Sequence, residues 1–159
     1  MLSSSLISLG AFVCVNFIAA GSGAVFKPGA WYEGLEKPGW TPPNIAFPIV
    51  WTVLFLLNAA AGWLIWEQAP DQRGVNFTVY GVSLVLNALW SALFFGARRM
   101  TLALIDVSAL WLSIAIVAAL FAPINLFAAA LLVPYLIWVG LAGLLNWRII
   151  ELNPRERVA

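Results

Sequence analysis

Lys37-Pro38-Gly39-Trp40-Thr41-Pro42-Pro43-Asn44-Ile45-Ala46-Phe47-Pro48-Ile49-Val50-Trp51 places four prolines and two tryptophans between two long apolar runs. Proline fixes φ and disfavours helix in the residue before it, so Thr41-Pro42-Pro43 is expected to be extended. Pro48 falls in the first turn or so of the helix that follows, where its missing N–H costs nothing. The stretch is therefore a stiff connector, and the fold depends on what it connects.

On either side lie runs long enough to cross a bilayer, which takes roughly 20 apolar residues. They occur at about Leu6–Phe26, Asn44–Trp66, Val75–Ala97, Met100–Phe121 and Leu126–Ile149. The chain is 63% hydrophobic and 9% charged, against about 25% charged residues in soluble domains. These features predict an all-α integral membrane bundle of five transmembrane helices with a long ordered first loop, residues 1–159 forming a single domain. Small residues follow the first run at Gly21-Ser22-Gly23-Ala24, as at a signal cleavage site, but no basic segment precedes that run. The first helix is accordingly expected to stay in place. Asp71-Gln72-Arg73-Gly74, Arg98-Arg99 and Ala122-Pro123-Ile124-Asn125 are tight links between antiparallel neighbours.

A net charge of +1 and the lack of any long basic run argue against a nucleic-acid partner. Cys14 is the single cysteine and histidine is absent, so no intrachain disulfide can form and the commonest metal ligand and general base are missing. No metal and no required cofactor are expected. Lys27, Lys37, Arg98, Arg99, Arg148, Arg155 and Arg157 fall on one side of the spans and Arg73 on the other. The positive-inside rule then places the first loop and the C-terminus in the cytoplasm and the N-terminus outside.

Helical rise puts Trp51 ~10 Å below the start of the second helix, and Asn87 and Trp90 ~10 to 15 Å from the same membrane face. Trp138 lies somewhat deeper on the fifth. Trp51 and Phe55, then Asn87, Trp90 and Phe94, then Tyr135, Trp138, Ala142 and Leu145 each follow helical spacing along one face. An uncharged Asn87 in the bilayer must face the bundle or a ligand. Asp106, ~9 Å into the fourth helix, should face the interior, with Arg98 or Arg99 as the ordinary partner and a ligand as the sharper one. Ala88, Ala92 and Gly96 form a small-residue stripe that suits either a homodimer through the third helix or packing inside one bundle.

The motifs Lys37-Pro38-x-Trp40-x-Pro42-Pro43, Phe47-Pro48-x-x-Trp51, Asn87-x-x-Trp90-x-x-x-Phe94-Phe95 and Pro134-Tyr135-x-x-Trp138, with Leu145-Asn146, occur in this order along nearly the whole chain. In them the sequence resembles the TspO/translocator protein family, also called tryptophan-rich sensory proteins or peripheral-type benzodiazepine receptors. The resemblance implies a membrane receptor or carrier for porphyrins and haem precursors, linked to oxygen, light or stress signalling. Family members also bind isoquinoline carboxamides, benzodiazepines and, in animals, cholesterol. By the same resemblance Trp51, Asn87, Tyr135 and Trp138 would line the pocket, with Trp31, Tyr32 and Pro42 closing it from the loop. Some bacterial relatives have been proposed to degrade porphyrin photo-oxidatively, which would make Trp51 and Trp138 the reactive pair. Some form homodimers.

A pocket of tryptophans and phenylalanines with few fixed charges suits a large flat apolar ligand such as a porphyrin or haem, held by stacking and shape. Trp31, Tyr32 and Trp40 on the proline-stiffened loop would act as a lid over it. Propionates could reach Lys37, Arg98, Arg99 or Arg148 at the rim. Besides such ligands and membrane lipid, a sterol is the weaker candidate, because Leu144-Leu145-Asn146-Trp147-Arg148 has tryptophan where the animal cholesterol motif has tyrosine. Without histidine an ordinary hydrolytic triad is excluded.

Overall fold

The computed structural model describes residues 2–155, and every regular element among them is helical. The order is α1 (Leu2–Val25), α2 (Ala30–Glu33, within the first loop), α3 (Ala46–Gln68), α4 (Arg73–Ser91), α5 (Met100–Phe121), α6 (Leu126–Ala130) and α7 (Val133–Leu152). Five segments are long and apolar enough to cross a membrane: Ser4–Val25, Ala46–Gln68, Pro70–Gly96, Met100–Phe121 and Leu126–Leu152. They coincide with the five expected runs, apart from their ends.

Two spans depart from a simple helix. The fifth is broken into α6 and α7, because Pro134 has no N–H to give the carbonyl of Ala130. The chain turns at Leu131 and Leu132, where Leu132 N donates to Ala129 O at 3.1 Å. The third ends in a π turn, Ala92–Gly96. Ala97 N reaches back five residues to Ala92 O (2.7 Å) and Arg99 N reaches six back to Leu93 O (2.8 Å). Arg98, at φ 57°, then reverses the chain into α5. Such a bulge changes the helical phase, so simple four-residue spacing ceases to predict facing beyond Ser91.

The first loop is held at both ends. Lys37 Nζ donates to the carbonyls of Tyr32, Leu35 and Glu33 at 2.6, 2.9 and 3.2 Å, closing the C-terminal end of α2. Asn153, just past α7, accepts from Glu36 N (3.0 Å) and donates to Glu36 O (2.9 Å). This clamp puts the loop at the same end of the bundle as the C-terminal end of α7, with Lys27, Lys37, Arg98, Arg99, Arg148 and Arg155. Arg73 sits at the opposite end, donating to Trp66 O at 2.7 Å. Arg157 lies outside the described residues.

In packing order α3 lies on α1, α1 on α4, α4 on α5 and α5 on α7, and α6 closes the ring onto α3 at the end away from the loop. There Asn125 Nδ2 donates to Gln68 Oε1 at 3.0 Å. In the same half, α1 and α3 interlock from Trp63 Nε1 on Ser5 O (3.2 Å), through Phe12 against Gly62, to the buried Asn16–Asn58 pair. Asn16 Nδ2 donates to Tyr80 Oη (2.7 Å), Asn58 Nδ2 to Asn16 Oδ1 (2.7 Å) and Tyr80 Oη to Asn58 O (2.9 Å), so the network joins α1, α3 and α4. Interhelical bonds of this kind average about 0.6 kcal/mol in a membrane. Towards the loop, α1 continues as Ala19-Ala20-Gly21-Ser22-Gly23-Ala24. These side chains are too small to fill the space between α1, α3 and α4.

Candidate functional site

The space left by those small residues is a cavity of about 660 Å³. One wall is α1 from Phe17 to Ala24, with Phe26, Lys27 and Pro28 just past its end; the others are the first turns of α3 and the loop-side half of α4. Pro48 and Thr52 flank Trp51 at the start of α3. The Trp51 ring stacks on Phe55 with centroids 5.6 Å apart and meets Tyr135 edge-on at 6.0 Å. Across the cavity, Trp90 stacks on Phe94 at 5.4 Å, and its Nε1 donates to Asn146 Oδ1 at 3.3 Å. Asn146 is itself fixed by donating to Met100 O at 2.9 Å. Tyr135 and Asn146, neither of which lines the cavity, thus orient the two tryptophans and leave part of each ring for an occupant.

Between them lies Asn87, whose Nδ2 donates to the buried Tyr135 Oη at 2.8 Å. The Asn87 side-chain oxygen accepts from no described residue, so it is the acceptor this amide offers the cavity. Lys27 is the one ionisable side chain lining it among the described residues.

A smaller cavity, about 360 Å³, lies between the loop and α7 and is lined by Trp40, Pro42, Phe47, Trp138, Leu141, Ala142 and Leu145. Phe47 borders both cavities and packs edge-on against Trp138 at 5.7 Å. Trp138 Nε1 is buried without an acceptor among the described residues.

The residues singled out from sequence therefore divide. Trp51, Phe55, Asn87 and Trp90 share the larger cavity, whereas Trp40, Pro42, Trp138, Ala142 and Leu145 share the smaller. Trp31, Tyr32, Phe94 and Tyr135 line neither. Trp31 and Tyr32 meet Phe94 at 5.9 and 6.1 Å, and Tyr32 meets Phe95 at 5.4 Å, so this part of the loop packs on the α4 bulge. Burial pushes the Tyr32 phenol above its ordinary pKa and keeps it neutral. Sequence reasoning missed the α1 wall and Phe47. The run of small residues at 19–24 was the available signal.

Two other expectations need correction: the basic rim of the cavity and the partner of Asp106. Lys37 is committed to loop carbonyls, Arg148 pairs with Glu151, and the Arg98 guanidinium lies 5.8 Å from the Trp31 ring centre, so none of the three lines either cavity. Arg99 does not line them either. Asp106 does face the interior, but neither carboxylate oxygen has a hydrogen-bond partner among the described residues, and no ion pair joins it to Arg98 or Arg99. Along the Ala88, Ala92, Gly96 stripe, a Cβ on Gly96 would lie 2.6 Å from Phe26 Cδ1, so Phe26, the residue after α1 of the same chain, covers that end.

The model of the TspO/MBR family matches residues 10–152. The chain belongs to the TspO/MBR family. It is 38% identical over 143 residues to Protein CrtK of Rhodobacter capsulatus, covering 87% of this chain and 88% of that protein. To the Tryptophan-rich protein TspO of Chlorobaculum tepidum it is 38% identical over 150 residues, covering 89% and 92%. The Translocator protein of Homo sapiens is 34% identical over 143 residues, covering 88% and 81%. With five spanning segments and this family membership, the chain is an integral, multi-pass membrane protein.

Proposed function

We propose that this protein is a membrane receptor or carrier for porphyrin-type tetrapyrroles, which it holds in the larger cavity, and that it serves oxygen, light or stress signalling. One observation carries the reading: a cavity of about 660 Å³ whose walls present Trp51, braced by Tyr135, and Trp90, braced by Asn146, with Asn87 between them. That volume lies within the ~300 to 1,000 Å³ of small-molecule sites. Rings held from behind offer stacking faces at little entropic cost. The Asn87 oxygen adds one acceptor to the lining, and the apolar walls need nothing further from the ligand than flatness. The proposed orientation keeps the first loop and C-terminus cytoplasmic, in line with the basic residues gathered at that end.

Degradation and binding are separated by counting turnovers. Purified protein is illuminated in air with protoporphyrin in excess, and product is measured per protein. At most one equivalent of product fits a binder that bleaches its ligand. Repeated turnovers that vanish in Trp51→Phe would establish an enzyme and overturn the receptor reading. The Trp51–Trp138 pair would then have to reach one ligand from two cavities, past Phe47.

A further inference from the structure

We propose that Lys27 is the anion-recognising residue of the larger cavity, selecting flat apolar ligands that carry a carboxylate at one edge. The assignment rests on the porphyrin reading of this cavity and adds the chemistry of its mouth. Among the described residues, the loop-side cations Lys37 and Arg148 are hydrogen-bonded or ion-paired within the protein and Arg98 lies over an aromatic ring. Lys27 makes no hydrogen bond or ion pair with any described residue, yet it lines the cavity, two positions past the end of α1. It is exposed, so its ammonium stays hydrated at the edge of the cavity it lines.

The remaining lining is arranged to match. Phe17, Phe55, Trp51 and Trp90 supply the apolar walls, and among the described residues no acidic side chain lines the cavity to neutralise Lys27 or repel an incoming carboxylate. A ligand with an apolar body and an anionic edge has one favourable orientation in such a space: body among the rings, carboxylate at Lys27. An ammonium at the mouth of a low-dielectric cavity also attracts anions over a distance, an effect that salt screens.

The test is a titration in neutral detergent with protoporphyrin and with its dimethyl ester, which keeps the flat body and loses both charges. Unmodified protein, Lys27→Met and Lys27→Arg are compared. Lys27→Met should weaken the diacid about three- to tenfold, as expected of one partly hydrated charge-assisted contact. The ester should change less than about twofold, and Lys27→Arg should retain most of the diacid affinity. Raising ionic strength should weaken the diacid with unmodified protein and have little effect with Lys27→Met. If both compounds bind and Lys27→Met leaves the diacid unchanged, or weakens the ester equally, the Lys27 assignment is wrong while the cavity reading stands. If neither compound binds the unmodified protein, the porphyrin reading fails and the assignment falls with it.

Discussion

Replacing Trp51 with alanine separates a ligand-binding wall from ordinary packing, because the fold supplies a matched control. Trp51 makes ring contacts with Phe55 at 5.6 Å and Tyr135 at 6.0 Å. Trp66, at the far end of the same helix, makes ring contacts with Phe12 at 6.0 Å and Phe77 at 5.2 Å and lines neither cavity. Two aromatic pairs at ~0.5 to 1.5 kcal/mol each give either variant a stability loss of about 1 to 3 kcal/mol from ring contacts alone. For Trp66→Ala the Arg73 guanidinium, 3.9 Å above the ring, adds a further loss. Only Trp51→Ala also removes a stacking face from the ligand, ~1 to 3 kcal/mol by analogy with aromatic–base stacking. That corresponds to a roughly 5- to 150-fold rise in Kd. The assay is a protoporphyrin titration followed by ligand absorbance, with thermal unfolding of both variants in the same detergent. Trp66→Ala should bind like the unmodified protein while melting lower. Equal loss of affinity in the two variants, or unchanged affinity in Trp51→Ala, would refute the placement of the ligand.

Three further outcomes follow from particular contacts. Gly62→Ala should destabilise by about 1 to 3 kcal/mol, because its Cβ would lie 2.8 Å from Phe12 Cδ1 and Cε1 and 3.0 Å from Tyr80 Cζ; an unchanged melting temperature would contradict this packing. A Cβ on Gly21 meets nothing within 4 Å, and the residue lines the larger cavity, so Gly21→Leu should fold normally and lose most porphyrin binding. Full affinity in that variant would show that the ligand lies elsewhere. Asp106→Asn should leave expression and melting unchanged or improved, since it removes a buried charge that has no partner among the described residues; collapse of either would reveal a required partner.

The five spans were legible because a bilayer demands about 20 apolar residues in a row and little else has that signature. The stiffness of residues 41–48 was equally legible, since proline acts locally. The π turn was not, because an extra residue in a helical turn leaves no mark in composition, and it altered the facing of the rest of that span after Ser91. Pro134 was visible and still underused: it was read within an aromatic motif, although its missing N–H splits the last span into α6 and α7. Trp51, Phe55, Asn87 and Trp90 were found by phase because large or polar side chains in an apolar helix stand out. The opposite wall was missed because it consists of absences, a run from Ala19 to Ala24 whose small side chains make room without marking it. Asn16 was overlooked for a related reason: its partners, Asn58 and Tyr80, come together only when three helices pack.

The most direct test of the central claim is the structure of the protein with protoporphyrin bound, determined in lipid or detergent. The ring is predicted between Trp51 and Trp90, against Asn87 and with a carboxylate toward Lys27. A ring found only on the lipid-facing surface, or seated at Trp40 and Trp138 with the larger cavity empty, would contradict the account.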